Sequence, residues 1–237
     1  LPKPQIDYIK ELAAKDVKII LILTGGSPIA LGEVEDLVKA ILFVWYPGME
    51  GGRAVADVLF GDLSPAGKLP LTFPKSLDQL PPFDDYSMDE RTYRYMHAEP
   101  LYPFGFGLSY TQFEYADLEL DQSEIELGDS LTVRVTVRNI GGRTAPEVAQ
   151  FYLSHLDASC LVPLHHLVGF ERVTLDPGES RTLTFTITPE MMSFINDDGQ
   201  STTEQGEFRL EAGGASPGKR AHELGAPASV SALFQIK

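Results

Sequence analysis

Apolar and polar positions in the first 73 residues predict a parallel sheet flanked by helices. Apolar residues recur at helical spacing across residues 6–13. Two unbroken apolar runs of strand length follow, at residues 17–23 and 41–46, and such runs are typical of strands that are buried on both faces. Short helices are predicted at residues 33–40 and 52–60. Helices that alternate with buried strands indicate crossover connections in a parallel sheet.

The predicted sheet is too small to be a complete domain. Besides the two apolar runs, only residues 68–73 show a doubtful extended pattern, whereas sheets have about five or six strands on average. The sequence also opens on Leu1, with neither an initiator Met nor a secretory leader. We therefore expect residues 1–73 to be the C-terminal part of an α/β domain whose other strands lie upstream.

The pattern changes to all-β over residues 113–237. Residues 131–137 alternate apolar with polar side chains, as a half-buried strand does. Further short strands are predicted around residues 118–127, 147–154, 167–173, 181–188, 206–212 and 228–235. About seven short strands in a segment of this length predict an immunoglobulin-like or fibronectin III-like sandwich.

The segment between these parts, residues 74–112, is rich in Pro, Asp, Tyr and Phe and has no periodicity. A flexible linker would be rich in Gly and Ser, and this segment has too many aromatic residues to be left in water. We predict an ordered strap, in which Phe104, Phe106 and Tyr110 of YPFGFGLSYT pack where the two domains meet.

Composition excludes several classes of protein. A formal net charge of −15 argues against nucleic-acid partners, because phosphates require a basic surface. No apolar run reaches the roughly 18 residues of a membrane span. The chain has neither GxGxxG nor a GKS loop, so no nucleotide cofactor is predicted. The lone Cys160 excludes an intrachain disulfide, and no metal site is predicted, although His155, His165 and His166 are nearby.

Three candidate substrate contacts follow the two buried runs. Ser27 comes after the first run, Tyr46 is the last residue of the second, and Glu50 follows it. Ligands of open α/β sheets bind at this edge, so Glu50 could contact substrate; alternatively, it is an acidic residue bonded to amides at a helix N-terminus. Ser27 lacks the GxSxG elbow of a serine nucleophile. Tyr46 could stack on a sugar, or it could be a core or interface residue.

Two arginines in RTYRY are further candidates. Arg91 or Arg94 could clamp a carboxylate or stack on a sugar. Alternatively, both could pair with Asp84, Asp85 or Glu90 to hold the strap. No two carboxylates in the sequence are predicted to be poised as an acid and a nucleophile, because adjacency in sequence does not set their separation in space.

An ordered set of motifs spans the whole chain. The set consists of WYPGMEGGRAVADVLFGDLSPAGKLPLTFP, RTYRY, YPFGFGLSYTQFEY, VTVRN, EVAQFYLS, LVGFERVTLDPGESRTLTFTI and QGEFRLEAGG. Together these motifs resemble the C-terminal region of the family 3 glycoside hydrolases, the β-glucosidase and β-xylosidase group. Glu50 matches the glutamate of the family's PGxEGG motif, which is not the residue expected to be the acid/base.

The resemblance implies a parent enzyme with an upstream (β/α)8 barrel that carries the nucleophile, followed by an α/β domain that supplies the acid/base. The parent would be a retaining β-glycosidase, and this chain alone would be structural and inactive, since both carboxylates lie before residue 1. The alternative is a carbohydrate-binding accessory module. The sequence does not define a compartment; a secreted or periplasmic parent is one expectation.

Overall fold

The computed structural model describes all residues from 1 to 237. Its first part consists of helix α1 (Lys3–Ala14), strand β1 (Ile20–Leu23), strand β2 (Ala40–Phe43) and helix α2 (Gly51–Phe60). The two strands pair in parallel, with Ile20 opposite Ala40. The predicted α/β character is therefore confirmed. No helix is both long enough and apolar enough to cross a membrane.

The connection between β1 and β2 differs from the prediction. The short helix predicted at residues 33–40 is confirmed only in part: the segment forms a 3-10 helix, Gly32–Leu37, and Ala40 already belongs to β2. This short helix is sufficient to bury Val34 completely. The chain then becomes extended at Val38, whose β-branched side chain favours a strand.

The small sheet is covered on one side only. Leu23 lies in a buried cluster with Leu31, Phe73 and Leu101, whereas Ile20 and Ile22 are exposed. Burial of these strands on both faces, as expected from their apolar runs, is therefore wrong for this chain. Helix α2 also leaves an apolar side chain in solvent, since Phe60 at its end is 84% exposed.

The second part is the predicted sandwich, and this prediction is confirmed. Its strands are β3 (Phe113–Leu120), β4 (Glu124–Ile125), β5 (Leu131–Asn139), β6 (Ala145–His155), β7 (His166–Leu175), β8 (Ser180–Ile187), β9 (Phe194–Ile195), β10 (Ser201–Thr202), β11 (Gly206–Gly213) and β12 (Val230–Ile236). A five-stranded sheet in the order β4-β12-β11-β6-β7 faces a three-stranded sheet in the order β3-β5-β8.

A core of 21 buried residues fills the space between these sheets. Burial alternates along β5, as its sequence predicts. Phe151 and Phe208 are core residues, but Phe170, which its strand pattern also assigns to the core, is mostly exposed. The reason is the register: Gly169 lies opposite the core residue Phe151, so the next side chain, Phe170, points to the outer face of the sheet.

The segment 74–112 is only partly a strap. It leaves the α/β part at Phe73, which forms an isolated bridge with Tyr102, and it contains one short helix, α3 (Thr92–Tyr95). Its first half leaves aromatic side chains in solvent: Phe83 is 97% exposed, and Tyr86 is exposed too. The prediction that its aromatic residues are covered is therefore wrong for this half, where no apolar partner lies beside them.

The second half of the segment packs closely. Phe104 stacks on Tyr93 at 4.2 Å between ring centroids, and Phe106 is buried beside alanines of the sandwich. Tyr110 is partly exposed, and its hydroxyl donates a hydrogen bond to the Val58 carbonyl at 2.8 Å. These contacts agree with the predicted role of the three residues at the joint.

A buried ion pair connects the two parts. Lys68 Nζ lies 2.9 Å from Glu147 Oε1, and the Glu147 side chain is 4% exposed. Lys68 also donates to the Gly107 carbonyl at 3.0 Å, and the Tyr115 hydroxyl donates to Glu147 at 3.3 Å. Because the glutamate has both a cation and a hydroxyl donor, its burial is compensated.

A second polar contact requires glycine at position 105. Gln150 Nε2 donates to the Gly105 carbonyl at 3.0 Å and to the Gly214 carbonyl at 2.9 Å, while its Oε1 accepts from the Tyr152 hydroxyl at 2.6 Å. Gly105 has a φ of 74°, and a Cβ there would lie 2.0 Å from Gln150 Oε1. The backbone can approach the sandwich this closely only without a side chain.

Candidate functional site

The carboxyl ends of β1 and β2 form the predicted sheet edge. The amide of Gly25 donates to the Trp45 carbonyl at 3.4 Å, which joins the two loops that follow the strands. A Cβ on Gly26 would lie 2.9 Å from the Tyr46 ring, so the two loops are in close contact. The structure thus brings the loops that carry Ser27 and Tyr46 together, and both side chains are exposed.

Glu50 lies beside this edge, at the N-cap of α2, and is exposed. Its side chain makes no capping hydrogen bond to the helix, so the alternative that local amides bind it is wrong. The next position requires a glycine, Gly51, because a Cβ there would lie 2.6 Å from the Pro47 side chain. Met49 is fully exposed as well, so this edge is an open surface. No group of this chain orients the Glu50 carboxylate.

Arg91 holds its own loop together. Its Nε donates to the Ser87 carbonyl at 2.9 Å, and its terminal nitrogen donates to the carbonyls of Pro82 and Asp85. The predicted holding role is therefore correct, but the expected carboxylate partners are wrong. A guanidinium offers several donors in a fixed fork, and here these donors serve carbonyl groups of the backbone.

Arg94 lies elsewhere. Its backbone carbonyl accepts a hydrogen bond from the Leu164 amide at 2.6 Å, and its exposed side chain lines a cavity in the sandwich beside His155 and His166. It forms no ion pair with Asp84, Asp85 or Glu90, so this alternative is wrong for Arg94 as well. The five candidates thus occupy separate places: the sheet edge, the loop that Arg91 holds, and the sandwich cavity.

One cluster was missed by sequence reasoning. Ligand atoms of Asp89, Glu90 and His97 all lie within 4.8 Å of one another. Glu90 accepts from the His97 backbone amide at 3.1 Å and lies 2.8 Å from its Nδ1, and these hydrogen bonds lower the pKa of Glu90. Because these groups form hydrogen bonds with one another, we interpret the cluster as one that holds its loop together. Its seven-residue spacing matches no metal motif that a sequence could reveal.

Three histidines of the sandwich have pKa values that are lowered by burial. Burial lowers the pKa of His165 to about 4, assisted by the neighbouring His166. Burial likewise lowers the pKa values of His155 and His166. Burial also raises the pKa of the Cys160 thiol, the opposite of what an activated thiolate requires.

Family models match both parts of the chain. Residues 1–110 match the glycosyl hydrolase family 3 C-terminal domain, and residues 147–216 match a fibronectin type III-like domain. These two matches together define the class as the C-terminal region of a glycosyl hydrolase. The chain belongs to the family 3 glycoside hydrolases.

Relatives of known activity match most of this chain. A periplasmic beta-glucosidase of Salmonella typhimurium is 39% identical over 225 residues, which cover 90% of this chain and 29% of that protein. A xylan 1,4-beta-xylosidase of Xylanibacter ruminicola is also 39% identical, covering 94% of this chain and 26% of that protein. The chain therefore spans less than a third of the length of these relatives.

Solved structures agree with the sequence matches. The beta-glucosidase from Listeria innocua in complex with glucose superposes with a TM-score of 0.84 at 32% identity. The match covers 100% of this chain and 33% of that one. Both parts of the fold, together with their mutual arrangement, thus match the corresponding part of that beta-glucosidase.

Proposed function

We propose that this chain is the non-catalytic C-terminal part of a retaining β-glycosidase that hydrolyses terminal β-D-glucosyl or β-xylosyl residues. The coverage of the relatives carries this proposal, since the match is limited to less than a third of each enzyme. Retaining hydrolysis needs two carboxyl groups about 5 Å apart. Glu50, the carboxylate at the sheet edge, has no oriented carboxyl partner. The neighbouring carboxylates of Asp89 and Glu90 belong to a loop in which Glu90 is bonded to His97, so we expect the isolated chain to be inactive.

The role proposed for the chain is to complete and brace the catalytic parts. Ile20 and Ile22, on one face of β1, form an exposed apolar surface on the α/β part, and such a surface usually marks an interface. We infer that it packs against the first half of the α/β domain, with the (β/α)8 barrel beyond it. The sandwich supports this assembly through the buried Lys68–Glu147 pair.

A chimera tests this role. The upstream region of the Salmonella periplasmic β-glucosidase is fused to this chain, and turnover of p-nitrophenyl β-D-glucoside is measured for the chimera and for the chain alone. The chimera should be active and the chain inactive. Ile22→Asp in the chimera should abolish activity by charging the interface, whereas Leu233→Asp, at an exposed position of β12, should leave activity intact. Turnover by the purified chain alone would refute the proposal.

A carbohydrate-binding accessory role is the second candidate. It is supported by Phe83, Tyr86 and Phe170, which are exposed aromatic side chains of the kind that stack on sugars. Retardation of the chain in a gel that contains β-glucan, lost in a Phe83→Ala/Tyr86→Ala variant, would favour this role over pure bracing. We further propose a secreted or periplasmic location for the longer protein, supported by the periplasmic relative.

A further inference from the structure

A cavity of about 260 Å³ lies where the strap meets the sandwich. Its lining comes from the strap between residues 93 and 103, from His165 in the loop before β7, and from residues 216–221, which lead into helix α4 (Lys219–Glu223). Pockets for drug-sized ligands begin at roughly 300 Å³, so this space suits a smaller molecule. It is separate from the sheet edge that carries Ser27 and Tyr46, and from the cavity that Arg94 lines.

Two polar groups of this lining have no partner within the chain. Ser216 is only 4% exposed, and its backbone amide donates to the Phe104 carbonyl at 2.9 Å, but its hydroxyl makes no hydrogen bond. The His165 ring is packed against aromatic rings, and its nitrogens are likewise unbonded. Neither group is cut off from solvent, since the unpaired polar atoms that are fully buried belong to other residues. Both residues line the cavity, so a ligand there can reach their polar atoms.

The protonation state of His165 defines what can pair with it. Burial, assisted by the charge of His166, lowers the pKa of His165 to about 4. The ring is therefore neutral at pH 7 and offers one donor and one acceptor. The Ser216 hydroxyl also donates and accepts. Both groups are thus complementary to hydroxyl groups, which have the same double capacity.

The charged side chains around the cavity have counter-charges nearby. Arg220 donates to Glu35 at 3.3 Å, and Glu99 accepts from Lys75 at 2.6 Å. This hydrogen bond and the charge of Lys75 lower the pKa of Glu99. Arg220 and Lys219 lower it further, so Lys219 also has a carboxylate near it. The lining therefore favours a neutral ligand.

Carbon surface borders the same space. Pro100, Pro103 and the Tyr93 ring are part of the lining. A purely apolar molecule could contact them but would leave the Ser216 hydroxyl and the His165 ring unpaired, which is unfavourable. A pyranose ring has apolar C–H groups for the first kind of contact and several hydroxyl groups for the second.

We propose that this cavity binds a neutral monosaccharide, whose hydroxyl groups pair with the Ser216 hydroxyl and the His165 imidazole. The inference does not depend on the proposed glycosidase function, because the site lies wholly within this chain. D-glucose is the probe. For a neutral ligand of this size, a dissociation constant on the order of 1 mM is expected.

Proton NMR of the 237-residue chain tests this assignment. Glucose should shift the His165 ring signals in a saturable manner and leave those of His155, which does not line the cavity, unchanged. Saturation-transfer signals of glucose give the affinity independently. Cyclohexanol, a six-membered ring with one hydroxyl group, should bind at least about fivefold more weakly, the factor expected for one net hydrogen bond. Absence of a saturable shift, or equal affinity for cyclohexanol, would overturn the proposal.

Variants place the binding in this cavity. Ser216→Ala and His165→Phe each remove one free polar group, and each should weaken glucose binding about fivefold. Ser123→Ala removes the hydroxyl of an exposed serine outside the lining and should leave the affinity unchanged.

The Phe83→Ala/Tyr86→Ala variant should also bind glucose normally, because these exposed aromatic side chains lie outside the cavity. Its loss of glucose binding would assign the sugar to surface stacking. Native affinity in both Ser216→Ala and His165→Phe would refute the site as well.

Discussion

At the scale of single residues, His165 shows how burial defines a chemical property. Its ring lies 5.7 Å from the Tyr93 ring and 5.9 Å from the Tyr152 ring, so it has been moved from water into an aromatic cluster. A charged imidazole loses solvation there, and this explains why the pKa falls to about 4. The histidine is thus a neutral packing residue at pH 7.

We predict a loss of stability in acid that depends on His165. Between pH 6.5 and about 4 the unfolded chain binds a proton that the folded chain does not, so the free energy of unfolding falls as pH falls through this window. The full stability is present above pH 6.5. Protonation of His165 in the unfolded chain lowers the free energy of unfolding in acid by roughly 3 kcal/mol at most. Urea unfolding at pH 7 and pH 4.5 should show a smaller loss for His165→Phe than for the native chain. The exposed His222→Gln should behave like the native chain.

At the scale of elements, α3 depends on its neighbours. It has four residues and no side-chain cap, and so short a helix is not stable by itself. It is held by the Tyr93–Phe104 stack and by the Tyr93 hydroxyl, which accepts from the Leu167 amide at 3.0 Å. The strap is therefore ordered by tertiary contacts.

Phe104→Ala should loosen this element. Loss of the stack removes about 1 kcal/mol from the aromatic pair alone, and limited proteolysis should then cleave faster near residue 100. Phe83→Ala is the matched control, because that side chain is 97% exposed and packs on nothing; its digestion should match the native pattern. If both variants are cut at the native rate, the stack does not order the strap.

The same elements show what sequence can predict. Strand β5 could be predicted because its alternating pattern is local and its burial follows that pattern. The segment 33–40 could not, since residues that favour a helix were overridden by the early start of β2. The positions of the loops that carry Ser27 and Tyr46 could be predicted from where the strands end. The hydrogen-bond partners of Arg91 could not, because they are backbone carbonyls, which have no sequence signature.

At the scale of the whole molecule, the buried Lys68–Glu147 pair ties the α/β part to the sandwich. Such a pair adds little net stability compared with apolar residues, but removal of one partner leaves a buried charge alone. It therefore fixes how the two parts are placed more than how tightly each part folds.

Lys68→Met should cost roughly 3–5 kcal/mol in the free energy of unfolding. Glu147→Gln in the same background should recover part of this loss, because the unpaired charge is removed. The control is Lys75→Met, whose partner Glu99 is exposed, and it should cost less than about 1 kcal/mol. Urea denaturation of the four proteins measures these differences; equal losses for Lys68→Met and Lys75→Met would contradict the interpretation.

The exposed apolar surface around Ile20 and Ile22 also affects how the isolated chain behaves in solution. Strand β1 pairs only with β2, so its other edge presents unpaired backbone N–H and C=O groups beside apolar side chains. Such an edge recruits any strand that it meets, including another copy of itself. Overproduction of the chain alone should therefore yield inclusion bodies at high expression levels.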